Sequence, residues 1–260
     1  MIGGSAMGAT VPWVYPLIMM ASVGTAILLR GRTPQPSGLD PRQRWGIGLG
    51  AFCGAMIGAK LPFALADWEG LLTGRAWAEN GKTIVFGMVG GYLGVEIAKA
   101  LLGVRVKTGD GFAVPVAGAV AVGRLSCFAA GCCHGVATRL PWGVDFGDGV
   151  RRHPTQLYEI AFHAAAALGL AALQRRGLFR GQLIKLYILG YLAYRFATEF
   201  IRPEPRLAGG LTGYQWACLG LAPVFLALWA RDARSMRARP GMTPEITDDR
   251  SSPPPGRGNG

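Results

Sequence analysis

The sequence predicts an all-α protein, a polytopic membrane helical bundle of about seven transmembrane helices, and three observations predict it. Half of the 260 residues are hydrophobic and only 16% are charged, yet the net charge is +12. The basic residues must therefore stand between or after long apolar runs, which is a membrane pattern. Those runs recur about seven times, each near the roughly 20 residues that a helix needs to cross a ~30 Å hydrocarbon core. The connections are too short to hold a separate globular unit, so one integral membrane domain over residues 1–230 is expected.

The runs lie near 10–29, 45–66, 83–102, 112–130, 157–173, 183–201 and 211–229. The first could be a secretory signal, but no basic region precedes it and its positive charge follows it, at Arg30 and Arg32; it reads as an uncleaved anchor. In the third, Gly87, Gly90, Gly91 and Gly94 imply close packing against another helix. The distribution of Arg and Lys orients the bundle. Arg30, Arg32, Arg42, Arg44, Arg105, Lys107, Arg175, Arg176, Arg180 and the basic tail fall on one side, which the positive-inside rule makes cytoplasmic, giving N-terminus out and C-terminus in. The basic excess is accounted for by topology and anionic lipid, and no aromatic-interleaved soluble patch points to nucleic acid. From 231 to 260 Pro, Gly, Ser and charge replace apolar periodicity, so a disordered basic cytoplasmic tail is expected.

Ionisable residues inside such runs are functional candidates, because charge in hydrocarbon is costly unless it pairs or lines a wet cavity. Arg124 ends the fourth run and introduces a polar block. In the sixth, Tyr191, Arg195 and Glu199 recur at i, i+4 and share one helix face, which predicts an Arg195–Glu199 ion pair. Glu159 and His163 share the same spacing, and an interhelical hydrogen bond is the expectation there. Lys99 and Lys185, near run ends, are expected to snorkel. Cys132, Cys133 and His134 fall just beyond the outer end of the fourth run, where a disulfide is permitted. Adjacent cysteines with no second C-x-x-C or His pair are poorly spaced for a tetrahedral metal site, so no metal is expected. Cys53 and Cys218 read as small apolar helix residues. Arg124 and Arg195 at one membrane face would clamp a phosphate, whose oxygens match the guanidinium fork, and the phosphate at that depth is a phospholipid headgroup.

GRLSCFAAGCCHG, PWGVDF, RHPTQLYE and YLAYRFATEFIRPEP followed by Gln215 together resemble the prolipoprotein diacylglyceryl transferase family. The resemblance covers the second half of the chain, and RHPTQLYE, with Thr155 for the family's serine, is its most specific part. It implies an enzyme of the bacterial cytoplasmic (inner) membrane that needs no cofactor. Such an enzyme moves diacylglyceryl from phosphatidylglycerol to the lipobox cysteine of a secreted preprotein and releases glycerol 1-phosphate. Arg124 matches the essential arginine of the family signature and Arg195, with Tyr191, that of the sixth span. Gly123, Gly131 and Gly135 match its glycines, and Tyr15 is a weaker counterpart of an N-terminal tyrosine. Gln156, Tyr158 and Glu199 join them as substrate-binding candidates, with His153 as a catalytic one. The chain departs from the signature at Cys127, Ala130 and Cys132, and Phe86-Gly87-Met88-Val89 replaces the family's His-Gly-Gly-Leu, removing the usual base.

A lipobox thiol, with an ordinary pKa of about 8.5, needs deprotonation or a cationic neighbourhood to attack. The departing phosphate ester needs its charge stabilised by donors already in place. Arg124 and Arg195 suit the second task, with Tyr191 and Glu199 orienting Arg195; His153, His134 or water is open for the first. Attack by Cys132 or Cys133 themselves is unnecessary, since one direct displacement suffices. Two other readings stay open: a paralogue that binds phospholipid or modifies another acceptor, and a transporter whose charges line a pathway.

Overall fold

The computed structural model describes residues 13–36, 38–79 and 81–238. Its long helices are α1 (Val14–Arg32), α2 (Pro41–Ala66), α5 (Ile84–Leu101), α6 (Asp110–Ala129), α7 (Thr155–Arg175), α8 (Leu183–Thr198) and α9 (Gly213–Ala238). Two short helices, α3 (Trp68–Leu72) and α4 (Arg75–Glu79), connect α2 to α5, and a small hairpin of β1 (Val144–Asp145) and β2 (Arg151–Arg152) precedes α7. Six of the long helices are long and apolar enough to cross a membrane; α8, at 16 residues, is the exception. The chain is thus a multi-pass membrane protein of helical architecture. The last helix continues past 230 to Ala238, and the remaining tail, 239–260, lies outside the described residues.

Helix α2 opens on a capping box, in which Asp40 accepts from the Gln43 backbone while the Gln43 side chain accepts from the Asp40 backbone. It packs along α5 through facing glycines, Gly50, Gly54 and Gly58 against Gly90 and Gly94. A Cβ on Gly54 would run into the Gly90 carbonyl, and one on Gly90 into the Gly54 carbonyl. Small residues allow this backbone approach, which is how helices associate where lipid removes the hydrophobic drive. Gly87 and Gly91 meet Ala59 and Ala51 more loosely, so the glycine face expected on the third run is an α2 contact centred on Gly90 and Gly94.

The core surrounds α8. Leu183, Tyr187, Ile188, Tyr191 and Leu192 are buried against Val85 and Met88 of α5, Ala113 and Ala117 of α6, Leu170 of α7, and Cys218 and Phe225 of α9. Being enclosed by other helices explains why α8 is short yet central. Asp110 fixes its start by accepting the Gly181 and Leu183 N–H groups at 2.5 and 2.9 Å, which supplies acceptors for donors left unpaired at a helix N-terminus. Helix α1 packs on α6, where the Ser22 hydroxyl donates to the Ala119 carbonyl at 2.7 Å.

Candidate active site

Three helices and a turn converge on Glu159, near the start of α7. Its carboxylate is fully buried and pairs with Arg124 Nε from α6, with Arg195 Nη1 from α8 at 3.3 Å and with Arg202 Nη2 at 2.7 Å. Arg202 caps the 3₁₀ turn Glu199–Ile201 that follows α8. Arg195 Nη2 also pairs with Glu199 at 2.8 Å, as the i, i+4 spacing predicts, and its guanidinium lies 4.4 Å over the Tyr214 ring. Glu199 is held from its other side by the Thr212 hydroxyl at 3.0 Å. Three guanidiniums thus face two carboxylates, an excess of one positive charge in a low-dielectric setting. Arg195 and Arg202 side chains are 6% and 5% exposed and Arg124 is 12%, so Arg124 is the least covered cation. Arg195 Nε and Arg202 Nε have no hydrogen-bond partner among the described residues.

Sequence spacing brought out Arg124, Arg195, Tyr191 and Glu199, and the structure brings them together, with Tyr191 buried within electrostatic reach of Glu159 and all three arginines. It missed the centre. The interhelical hydrogen bond expected at Glu159 and His163 is present, His163 Nδ1 meeting the Tyr187 hydroxyl on α8 at 2.8 Å, but that Glu159 gathers three arginines was not expected. Sequence reading did not single out Arg202; its place three residues after Glu199 and seven after Arg195 was the available signal.

Above this cluster α6 ends in a Schellman turn. Gly131 is left-handed (φ 63°), and the Cys132 N–H bonds the Cys127 carbonyl at 3.1 Å while the Gly131 N–H bonds that of Phe128 at 3.1 Å. The turn folds Cys132 back onto the last helical turn, so Cys127, Cys132 and Cys133 have their sulfurs within 4.8 Å of one another. All three thiols are free, so the permitted disulfide is not formed. The Cys132 and Cys133 thiols are held above their ordinary pKa, chiefly by hydrogen bonding with Cys127. Arg124 Nη1 lies 3.6 Å from the Cys127 sulfur.

The RHPTQLYE segment anchors this turn. Thr155 Oγ1 donates to the Cys133 carbonyl at 2.6 Å, Gln156 Nε2 to that of Cys132 at 2.5 Å, and Arg202 Nη1 to that of Cys133 at 3.4 Å. Gln156 is fully buried and spends its amide N–H on the loop. Gly135 passes where a Cβ would meet the Ile201 carbonyl at 2.6 Å and His153 Cβ at 2.8 Å, so it serves packing. Gly123 lies where a Cβ would meet Ser22 of α1 at 3.2 Å. His153 is turned to the Tyr158 hydroxyl, 3.3 Å from its Nδ1, and that hydroxyl accepts from Trp142 at 2.8 Å; among the described residues no hydrogen bond or ion pair links the ring to the arginine cluster. Tyr15 on α1 faces Ser126 and the cysteines. Phe86, Met88 and Val89 pack into the core, so the segment replacing the family's histidine presents no base.

Lys185 does not snorkel. It is 2% exposed and bonds Gln182 at 2.7 Å and Asp232 at 2.6 Å, because α9 brings a carboxylate to it. Lys99, also buried, pairs with Glu96 at 3.0 Å.

A family model described as prolipoprotein diacylglyceryl transferase matches residues 6–231. The chain belongs to that family. Relatives named phosphatidylglycerol–prolipoprotein diacylglyceryl transferase include one from Clostridium tetani, 27% identical over 74% of this chain and 81% of the relative. One from Nitratidesulfovibrio vulgaris is 35% identical over 70% and 72%, and one from Solidesulfovibrio magneticus 32% identical over 83% and 87%. The match spans all seven long helices except the last residues of α9, well beyond the motifs of the second half.

Proposed function

We propose that this family member transfers the diacylglyceryl group of phosphatidylglycerol to the lipobox cysteine of a secreted preprotein in the bacterial cytoplasmic membrane. Seven helices then span the bilayer, with the N-terminus outside and the C-terminus inside. The observation that carries the reading is the buried group of Arg124, Arg195 and Arg202 around Glu159, with Arg124 at its least covered edge. Glu159 and Glu199 hold the guanidiniums in place before substrate arrives, which is the preorganisation that transition-state charge stabilisation needs. The headgroup phosphate docks on the excess positive charge at Arg124, with Arg195 behind it. The acceptor sulfur attacks the glyceryl carbon bonded to the phosphate oxygen; a C–S bond forms, the C–O bond breaks, and glycerol 1-phosphate leaves with the bonding pair, its charge met by the arginines. Gln156 and Tyr158 hold the walls of the site through the cysteine turn and Trp142.

Transfer of labelled diacylglyceryl from phosphatidylglycerol to a lipobox peptide by the purified protein tests this. Loss of transfer in both Arg124→Ala and Arg195→Ala, with the wild type active, is the expected result. Phe86 in place of the family's histidine, together with Cys127, Ala130 and Cys132 in its signature, favours one second reading, a family member with another acceptor. A folded wild type that binds phosphatidylglycerol yet leaves the lipobox peptide unmodified would select it.

A further inference from the structure

Three thiols converge in the turn after α6, and the arginine mechanism uses none of them. A zinc ion about 2.3 Å from each of three sulfurs in tetrahedral geometry needs those sulfurs about 3.8 Å apart. Here they lie within 4.8 Å of one another, so a small contraction closes the site. The 6→1 hydrogen bond of the Schellman turn overcomes the poor linear spacing by stacking Cys132 on Cys127. The loop is held firmly for this. Cys133 keeps a left-handed φ of 62° that a non-glycine residue adopts at a cost, while Thr155, Gln156 and Arg202 bond the carbonyls of Cys132 and Cys133. Among the described residues no fourth ligand joins the group, and His134 stacks instead on Phe146 with centroids 5.1 Å apart. Cys132 and Cys133 are exposed, so the fourth direction is open.

We infer that Cys127, Cys132 and Cys133 form a trithiolate zinc site whose open fourth position binds the acceptor cysteine of the transfer reaction. The inference rests on the transferase reading for the identity of that thiol. A soft thiolate set selects zinc among the common divalent ions, and three ligands with an open position is the pattern of catalytic rather than structural zinc. Zinc with three thiolates carries one negative charge, and the Arg124 guanidinium stands beside it, 3.6 Å from the Cys127 sulfur. The acceptor thiol loses its proton to solvent on coordination, which does away with a base where the chain has Phe86. Its sulfur then attacks the glyceryl carbon beside Arg124; the C–S bond forms as the C–O bond to phosphate breaks. The neutral thioether is a weaker ligand and gives way to the next thiol or water.

The test uses full-length protein purified under reducing conditions. Elemental analysis is expected to find one zinc per chain. Cobalt(II) substitution should give sulfur-to-cobalt charge-transfer bands and tetrahedral ligand-field bands. A lipobox peptide should shift the ligand-field bands, and the same peptide with serine for cysteine should not. Cys127→Ser, close in size to the native residue, and Cys132→Ala should each weaken zinc binding by more than the 10–100-fold that losing an outer-shell partner costs. Removing zinc with a chelator and restoring it covers the case of a variant that does not fold. Reduced protein that binds neither zinc nor cobalt overturns the inference, as does a Cys127 disulfide that persists under reduction. Undiminished transfer by zinc-free protein removes the metal's role and leaves the transferase standing. A peptide-dependent cobalt spectrum without any transfer removes the transferase reading and leaves the thiol-binding site standing.

Discussion

Helix α8 carries a buried cation near each end, Lys185 and Arg195, about 15 Å apart along its axis, and the two ends spend that cation differently. Lys185 has three N–H donors and three acceptors, the Gly181 carbonyl at 3.5 Å, Gln182 at 2.7 Å and Asp232 at 2.6 Å. Asp232 is shared with Lys107 at 2.8 Å. That end is saturated. At the other end three planar guanidiniums, with five N–H groups each, share two carboxylates and keep donors in reserve. Both ends satisfy the rule that buried charges are paired, and only one retains capacity for an anion. Pairing alone therefore does not mark a site; unspent directional donors beside an accessible edge do.

Glu159→Gln should break the contrast hardest. It strands three guanidiniums around a neutral amide, and losing one partner of a buried pair costs about 3–5 kcal/mol. Unfolding in detergent should show the largest destabilisation of the substitutions considered, with transfer lost as well. A cost below that of Asp232→Asn would mean that Glu159 is not the centre of the cluster.

Arg124→Ala tests the reserve donors. Transfer should fall by at least ~10²-fold, the scale for losing one transition-state donor, while stability suffers less than in Glu159→Gln because Arg124 is the most exposed of the three. Arg124→Lys should recover only part of the activity, since an ammonium keeps the charge and lacks the fork. Full activity in the lysine variant would reduce the site to a point charge.

Asp232→Asn probes the saturated end. Lys107 and Lys185 then share an amide, and a cost of about 1–3 kcal/mol is expected for the weakened buried bonds. Transfer per folded molecule should not change; a selective loss of turnover would show that the two ends of α8 are coupled.

The smallest effect belongs to the hairpin. Arg152, 2.5 Å from Asp148, holds that exposed carboxyl below its usual range. A depressed folded pKa contributes stability above the unfolded value of about 3.9, lost as pH falls through the folded value. Asp148→Asn should leave the unfolding midpoint at pH 7 nearly unchanged, as exposed pairs contribute little. It should flatten only the acid side of the profile. A large loss at pH 7 would give the hairpin a part in organising the site.

Local spacing made some of this legible. The Arg195–Glu199 pair follows from i, i+4 geometry, and apolar run lengths located the long helices within a few residues, except that α9 continues nine residues past the expected end at 229. Spacing also pointed Glu159 and His163 toward interhelical bonds, but not to the partners, because α6, α8 and the turn after α8 each deliver a guanidinium to Glu159 only once the helices are packed. The cysteine cluster was hidden for another reason. Linear spacing treats residues 127 and 132 as distant, and a left-handed Gly131 reverses the chain between them.

By itself the sequence determined the membrane character, the helices, the family motifs and the two arginines on helix faces, since each depends on composition or on contacts within one helix. Tertiary structure alone decided that Glu159 unites three arginines, that Lys185 is saturated by Asp232, and that three cysteines share one point. Those outcomes depend on which helices are neighbours and how their ends turn, and neither is encoded in any single helix's periodicity.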